Sequence, residues 1–344
     1  MSAAAGQITL HLGTPKSGTT SLQGILARNR ELLTANGYLY PGQNPSHFIE
    51  VLGLREGGFR GHHYETSDGA WERLVGEVER HAGPALISHE ILGGSTQQVA
   101  QRAVAAFPDR PVQAIVTCRD LGRQLPAAWQ EGVKNGDQDR YEDFLDEAIA
   151  QWAGPVSKKG FWRGQNLVSI GRRWARVVGA ENVRFVTVPP PGADHDVLWR
   201  RFREAAQLPD VAYAVPEAPR NPSLGAVETE LLRRIVSALP PDVPWPVYTR
   251  QVKRRLAQRG LVKRQAGGPL TVPERYRAAI VDISGAMVQA LRTEGFPVLG
   301  SLDDLEPAFR SDGVSPDEVD DAQLLERALE VLAPMVLRDR PAKG

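Results

Sequence analysis

Residues 8–23 read Ile-Thr-Leu-His-Leu-Gly-Thr-Pro-Lys-Ser-Gly-Thr-Thr-Ser-Leu-Gln: a short apolar strand, a loop bounded by Gly13 and Gly18, and a helix start. The two glycines allow a turn tight enough for successive N–H groups, and the N-terminus of the helix that follows, to face one anion. Thr19 and Thr20 add hydroxyl donors, and Lys16 adds a mobile positive charge. Beyond them the spacing of Leu22, Ile25, Leu26, Leu32 and Leu33 predicts a helix from Thr20 that Asn36-Gly37 stops. Strand, loop and helix in this order form a phosphate cradle; the plainer reading is a helix N-cap with an incidental lysine.

Further apolar runs extend the pattern. Pro84 to Glu90, Pro111 to Arg119 and Val183 to Val188 read as strands, and helix-length segments fall at Ser95–Phe107, Leu121–Val133, Tyr141–Ala153 and Leu167–Val178. Alternation of this kind predicts an α/β fold, a parallel β-sheet flanked by helices on both faces. Such sheets bind nucleotides at the carboxyl ends of their strands, where the loop at Gly13, the pair His89-Glu90 and Arg119 all fall. From Asp194 the chain reads as mainly helical, over Asp194–Ala206, Leu224–Leu239, Arg250–Arg259, Pro273–Thr293 and Pro316–Leu337, with Ser315-Pro316-Asp317-Glu318 as a capping box. Residues 1–310 are expected to form one domain, with 311–344 a helical extension packed on it.

The 344 residues, 42% of them hydrophobic, suffice for a full core. Equal numbers of basic and acidic residues, 41 each, argue against global attraction to nucleic acid or to an anionic membrane, so any anion site is local. Only seven of the basic residues are lysine, which makes Lys16 in the loop more telling. Cys118 is the sole cysteine, excluding an internal disulfide and reading as a buried strand residue. With no signal-peptide pattern and no apolar run of about 18 residues, a soluble cytoplasmic protein is expected.

The loop has both glycines of the nucleotide-triphosphatase motif G-x-x-x-x-G-K-[ST], but Thr19 stands where the lysine belongs. Pro15-Lys16-Ser17-Gly18-Thr19-Thr20 instead resembles, residue for residue, the 5′-phosphosulfate loop of sulfotransferases that use 3′-phosphoadenosine 5′-phosphosulfate (PAPS). The resemblance implies a P-loop NTPase-like sulfotransferase fold. It implies that these six residues bind PAPS and that Lys16 neutralises charge as the sulfuryl group leaves. In the family an arginine directly after a buried strand, with a serine eight residues on, binds the 3′-phosphate; Arg119 fits, but the later position is Ala127, so either Arg123 or backbone and C-terminal groups replace the hydroxyl, or the 3′-phosphate is held less firmly. The family's general base is a histidine or glutamate near the second strand, here His89 or Glu90, with Glu90 favoured.

The expected reaction is transfer of a sulfuryl group from PAPS to an acceptor hydroxyl of a carbohydrate, glycolipid or small natural product, without a metal and releasing adenosine 3′,5′-bisphosphate (PAP). Two alternatives are an ATP-dependent P-loop kinase, with Asp120 or Glu90 as metal ligand, and a PAP-sensing module without turnover. Other candidates are plainer: His47 and His62-His63-Tyr64 read as loop surface near substrate entry. The acid-free basic run Arg250, Lys253, Arg254, Arg255, Arg259, Lys263 and Arg264 reads as a solvated helix face or a family-like cover for the nucleotide. Arg220-Asn221-Pro222-Ser223-Leu224 resembles a segment of bacterial relatives, with Ser223 also a plain cap for the next helix.

Overall fold

A computed structural model describes residues 6–56, 58–59, 61–152, 160–216, 223–262 and 267–338. Arg220, Asn221, Pro222, Lys263 and Arg264 lie outside the described residues. The strands are β1 (Ile8–His11), β2 (Ala85–Ser88), β3 (Val112–Cys118), β4 (Val183–Thr187) and β5 (Val298–Leu299). They form one five-stranded, all-parallel sheet in the order β2-β1-β3-β4-β5. Parallel strands need crossovers, and the first four strands are buried on both faces apart from partly exposed Arg184, which is why they read as apolar runs rather than alternating ones. β5 has two residues and carries no strand pattern of its own.

The helices are α1 (Thr19–Arg28), α2 (Arg30–Ala35), α3 (Phe48–Arg55), α4 (Ala70–Glu79), α5 (Gln97–Ala105), α6 (Leu121–Lys134), α7 (Tyr141–Trp152), α8 (Trp162–Gln165), α9 (Leu167–Val178), α10 (Val197–Ala205), α11 (Ala226–Ser237), α12 (Trp245–Tyr248), α13 (Glu274–Glu294) and α14 (Asp321–Arg338). The chain groups into two compact units, residues 1–121, 155–219 and 281–307 in the first and 122–154, 220–280 and 308–344 in the second. The first contains the sheet. On one of its faces Leu22, Ile25 and Leu26 of α1 and Trp199 and Phe202 of α10 pack with Leu86, Ile115 and Val186 of the strands. On the other, Gly171 of α9 comes so near the strand that an added Cβ would lie 3.1 Å from the Phe185 ring. In the second unit α11 packs on α14, and buried Glu228 meets Arg327 Nε at 3.1 Å.

Three sequence expectations are corrected. The helix expected over 20–36 is broken at Asn29, whose Nδ2 donates to Ile25 O (2.8 Å) and Ala214 O (3.1 Å) while its Oδ1 accepts from Ala214 N (2.8 Å). A side chain that serves a distant segment from a helix interior competes with the helix itself. Ser315 makes no capping hydrogen bond; Pro316–Glu318 is one 3-10 turn, and α14 starts later, at Asp321. The helix expected over Arg250–Arg259 is wound as a π-helix, Thr249–Leu261, in which Lys253 Nζ donates to Asn135 Oδ1 at 2.6 Å. No described helix is long and apolar enough to cross a membrane.

Candidate functional site

In this strand order the chain leaves β1 for β2 on one side, while β3 lies on the other, so the crevice at the carboxyl end of β1 is a topological switch point. Residues 12–18 turn there. Three left-handed backbone positions make the turn: Gly13 (φ 49°), Lys16 (φ 70°) and Gly18 (φ 84°). A Cβ on Gly13 would lie 2.5 Å from Thr19 Cγ2 and 3.2 Å from Glu90 Cβ, and one on Gly18 2.5 Å from Leu198 Cδ2, so neither glycine is replaceable without movement. Lys16 holds a conformation that costs an L-residue about 1 kcal/mol, the kind of strain found where a loop is shaped for a ligand.

The first bonds of α1 run from Ser21 N and Leu22 N to Gly18 O (3.0 and 3.2 Å). The N–H groups of Gly18, Thr19 and Thr20 therefore precede the helical ladder, and Gly18 brings no capping side chain. Together with the positive end of the helix dipole they give the turn the chemistry of an anion cradle.

Beneath the turn runs a continuous chain of side-chain hydrogen bonds. Ser17 Oγ donates to Thr14 O (2.7 Å), so it accepts from Thr117 Oγ1 (2.6 Å). Thr117 then accepts from His11 Nε2 (3.2 Å), His11 Nδ1 accepts from Ser88 Oγ (2.7 Å), and Ser88 accepts from Gln23 Nε2 (3.1 Å). Every donor finds an acceptor when His11 is neutral with its proton on Nε2. Burial, with the His89 charge adding, pulls the His11 pKa down to about 3, which keeps the ring neutral at working pH. Nothing in the sequence pattern singled out His11, Thr117, Ser88 or Gln23, because each reads as an ordinary strand or helix residue.

His89 and Glu90 follow β2 directly. The strand ends at Ser88, so the two side chains do not diverge as strand neighbours would: His89 Nε2 lies 3.9 Å from Glu90 Oε2. His89 Nδ1 accepts from Ile91 N (3.2 Å), capping the 3-10 turn Glu90–Leu92, and its ring packs on Phe48 with centroids 5.1 Å apart. Burial lowers the His89 pKa, with Arg55 adding to the effect and Glu90 opposing it. Glu90 is about a quarter exposed and receives Gln23 Nε2 at 3.5 Å.

Arg119 closes β3 and donates from Nη1 to Lys16 O at 3.4 Å, which ties the third strand end to the loop. Pro15 is held from another side, its carbonyl accepting from Gln165 Nε2 at 3.1 Å. The first unit thus assembles Pro15 to Thr20, His89, Glu90 and Arg119; Arg123 and Ala127 fall on α6 in the second unit. Cys118 is buried in β3. His62 and His63 are exposed as expected, but His47 is not loop surface. It is buried at the start of α3, where Nδ1 accepts from Ser88 N (3.0 Å) and Nε2 donates to Pro41 O (3.0 Å). Burial takes its pKa down to about 4.

These two buried histidines set an acid limit on stability. The unfolded chain protonates near pH 6.5, the folded one only near 4 for His47 and 3 for His11. Stability is therefore full above pH 6.5 and falls as pH drops through the window between, by about 3 kcal/mol per histidine at pH 4. Urea unfolding at pH 7, 5.5 and 4.5 checks this, and His47→Gln, which has no proton to take up, should flatten the slope.

The fold is α/β, with a glycine-bounded turn of left-handed backbone positions at the switch point of its parallel sheet. No protein-family model matches the chain, and no curated protein matches it. It is similar to the crystal structure of a sulfotransferase from Alicyclobacillus acidocaldarius, with 18% identity and a TM-score of 0.41, over 74% of this chain and 98% of that one.

Proposed function

We propose that the protein is a PAPS-dependent sulfotransferase in which the turn 13–20 holds the 5′-phosphate end of the donor. The supporting observation is the loop itself. Six residues that resemble the PAPS loop occupy a turn with Lys16 and Gly18 left-handed and with the uncapped N-terminus of α1 behind it. The residues suit the donor, since N–H groups and the hydroxyls of Thr19 and Thr20 match phosphate oxygens, and Arg119 at the end of β3 is the proposed 3′-phosphate ligand. When bound, PAPS supplies the sulfuryl group on a phosphate leaving group.

This chain's own work is positioning and charge. Lys16 places an ammonium where negative charge grows on the leaving group. Glu90 removes the acceptor proton. His89 does not suit that task, because its Nδ1 already accepts from Ile91 N and its Nε2 carries the ring proton. It turns that proton toward Glu90 and fixes the entrance of the turn.

Calorimetric titration tests the donor reading. PAP should bind at least tenfold more tightly than ATP with Mg²⁺ and without any need for the metal. Preference for ATP with Mg²⁺ would replace this reading by the kinase one.

A further inference from the structure

Gln23 lies on α1, one helical turn past Thr19, and is buried. Its Nε2 is 3.1 Å from Ser88 Oγ and 3.5 Å from both Ser88 O and Glu90 Oε2. A carboxamide fits its site almost equally well turned either way, so its hydrogen-bond partners decide which end faces what. Here the decision is made at the loop. Thr14 O can only accept, and Ser17 Oγ gives its one proton there, so each link behind it has a single direction. Thr117 Oγ1 donates to Ser17, His11 Nε2 to Thr117, and Ser88 Oγ to His11 Nδ1. Ser88 Oγ then has no proton left for Gln23, and the atom facing it must be the amide nitrogen.

The same nitrogen thereby meets the carboxylate. It serves Ser88 Oγ with one proton and turns the other toward Ser88 O and Glu90 Oε2, at a length usual for a catalytic hydrogen bond before substrate is bound. The reversed amide would set its oxygen against the carboxylate, which repels it. His89 Nε2 faces the same oxygen, Oε2, from 3.9 Å. Both neighbours therefore fall on Oε2, which leaves Oε1 for the acceptor's proton. One chain of side chains from β1, β2, β3 and α1 thus runs from the loop at Thr14 and Ser17 to the carboxylate of Glu90.

We propose that Gln23 is a positioning residue for Glu90: its amide, aimed by the chain that starts at Thr14, holds the carboxylate by Oε2 and fixes which oxygen is presented to the acceptor. The inference rests on the reading of Glu90 as the base. It gives Thr117 an effect on Glu90 that passes entirely through its neighbours. With valine at 117 the His11 Nε2 proton loses its acceptor, the ring is released to take its other tautomer, and Ser88 no longer has to donate to it. The Gln23 amide then loses the constraint that aims its nitrogen at Glu90.

The test follows the side-chain amide of Gln23 by proton–nitrogen NMR in the free protein, its signal pair assigned by its loss in Gln23→Met. The pair should shift as pH is lowered from 7 to 4.5, through the carboxylate range, and Glu90→Gln should abolish that shift. Thr117→Val should abolish it as well, and Thr117→Ser, which restores the hydroxyl, should keep it. Release of PAP from PAPS, with water as the acceptor, gives the second readout. Gln23→Met should slow it about tenfold, the effect of one hydrogen bond to a charged group, but less than about twofold in the Glu90→Gln background. A Gln23 amide that shifts equally with and without the Glu90 carboxylate, or equal losses in the two backgrounds, would overturn the positioning role while leaving the base reading intact. If Glu90→Gln alone releases PAP as fast as the unmodified protein, the base reading falls and the positioning role falls with it, whatever the amide shows.

Discussion

Lys16→Ala will lower kcat by about a thousandfold while leaving the thermal midpoint unchanged, the size expected when one preorganised charge facing the leaving group is lost. The fold should not notice. Lys16 sits at φ 70°, and alanine keeps a Cβ there, so the backbone strain is the same in both proteins. The carbonyl of residue 16, which receives Arg119 Nη1, is also retained. Charge that matters only as the bond to the leaving group lengthens affects kcat, whereas charge that matters equally in the ground state affects KM. Steady-state kinetics with PAPS varied at saturating acceptor separate the two, and Lys16→Arg, which keeps the charge but changes its shape and reach, should fall between wild type and alanine. A kcat within about threefold of wild type would remove Lys16 from the reaction.

Much of this site was legible because its parts sit where parallel strands stop. Apolar runs marked β1 to β4, and whatever follows each run is brought to a common rim, so the rim position of His89, Glu90 and Arg119 was readable without any view of the fold. What stayed hidden depends on partners distant in sequence. His47 looked like loop surface, yet it is buried because its ring fits between Pro41 O and Ser88 N, an arrangement that no local pattern records. Asn29 ends α1 early because it pairs with Ala214, and β5 escaped notice because two residues have no period. Lys16 and Gly18 were readable as a motif, but the left-handed backbone at Lys16 was not.

Glu90→Gln is expected to reduce kcat by a hundred- to ten-thousandfold, the range for removing a positioned base, with little change in PAP affinity. Glutamine fills the same volume and its Oε1 can still accept from Gln23 Nε2, so the turn 90–92 and its contact with Gly13 remain. His89→Gln should cost far less. The ring of His89 is held by Ile91 N and by Phe48, and its Nδ1 lone pair is already taken while it is neutral, so its loss loosens the turn without removing a proton acceptor. The pH profile separates a base from a scaffold: Glu90→Gln should abolish the acidic limb of kcat, whereas His89→Gln should retain that limb at lower amplitude. The reverse pattern, a lost limb in His89→Gln and a retained one in Glu90→Gln, would move the base to His89 and require its tautomer to invert against the Ile91 N–H. Equal, small effects from both would leave the acceptor proton to solvent, and would reduce the protein's part in the reaction to the charge and orientation supplied around Lys16.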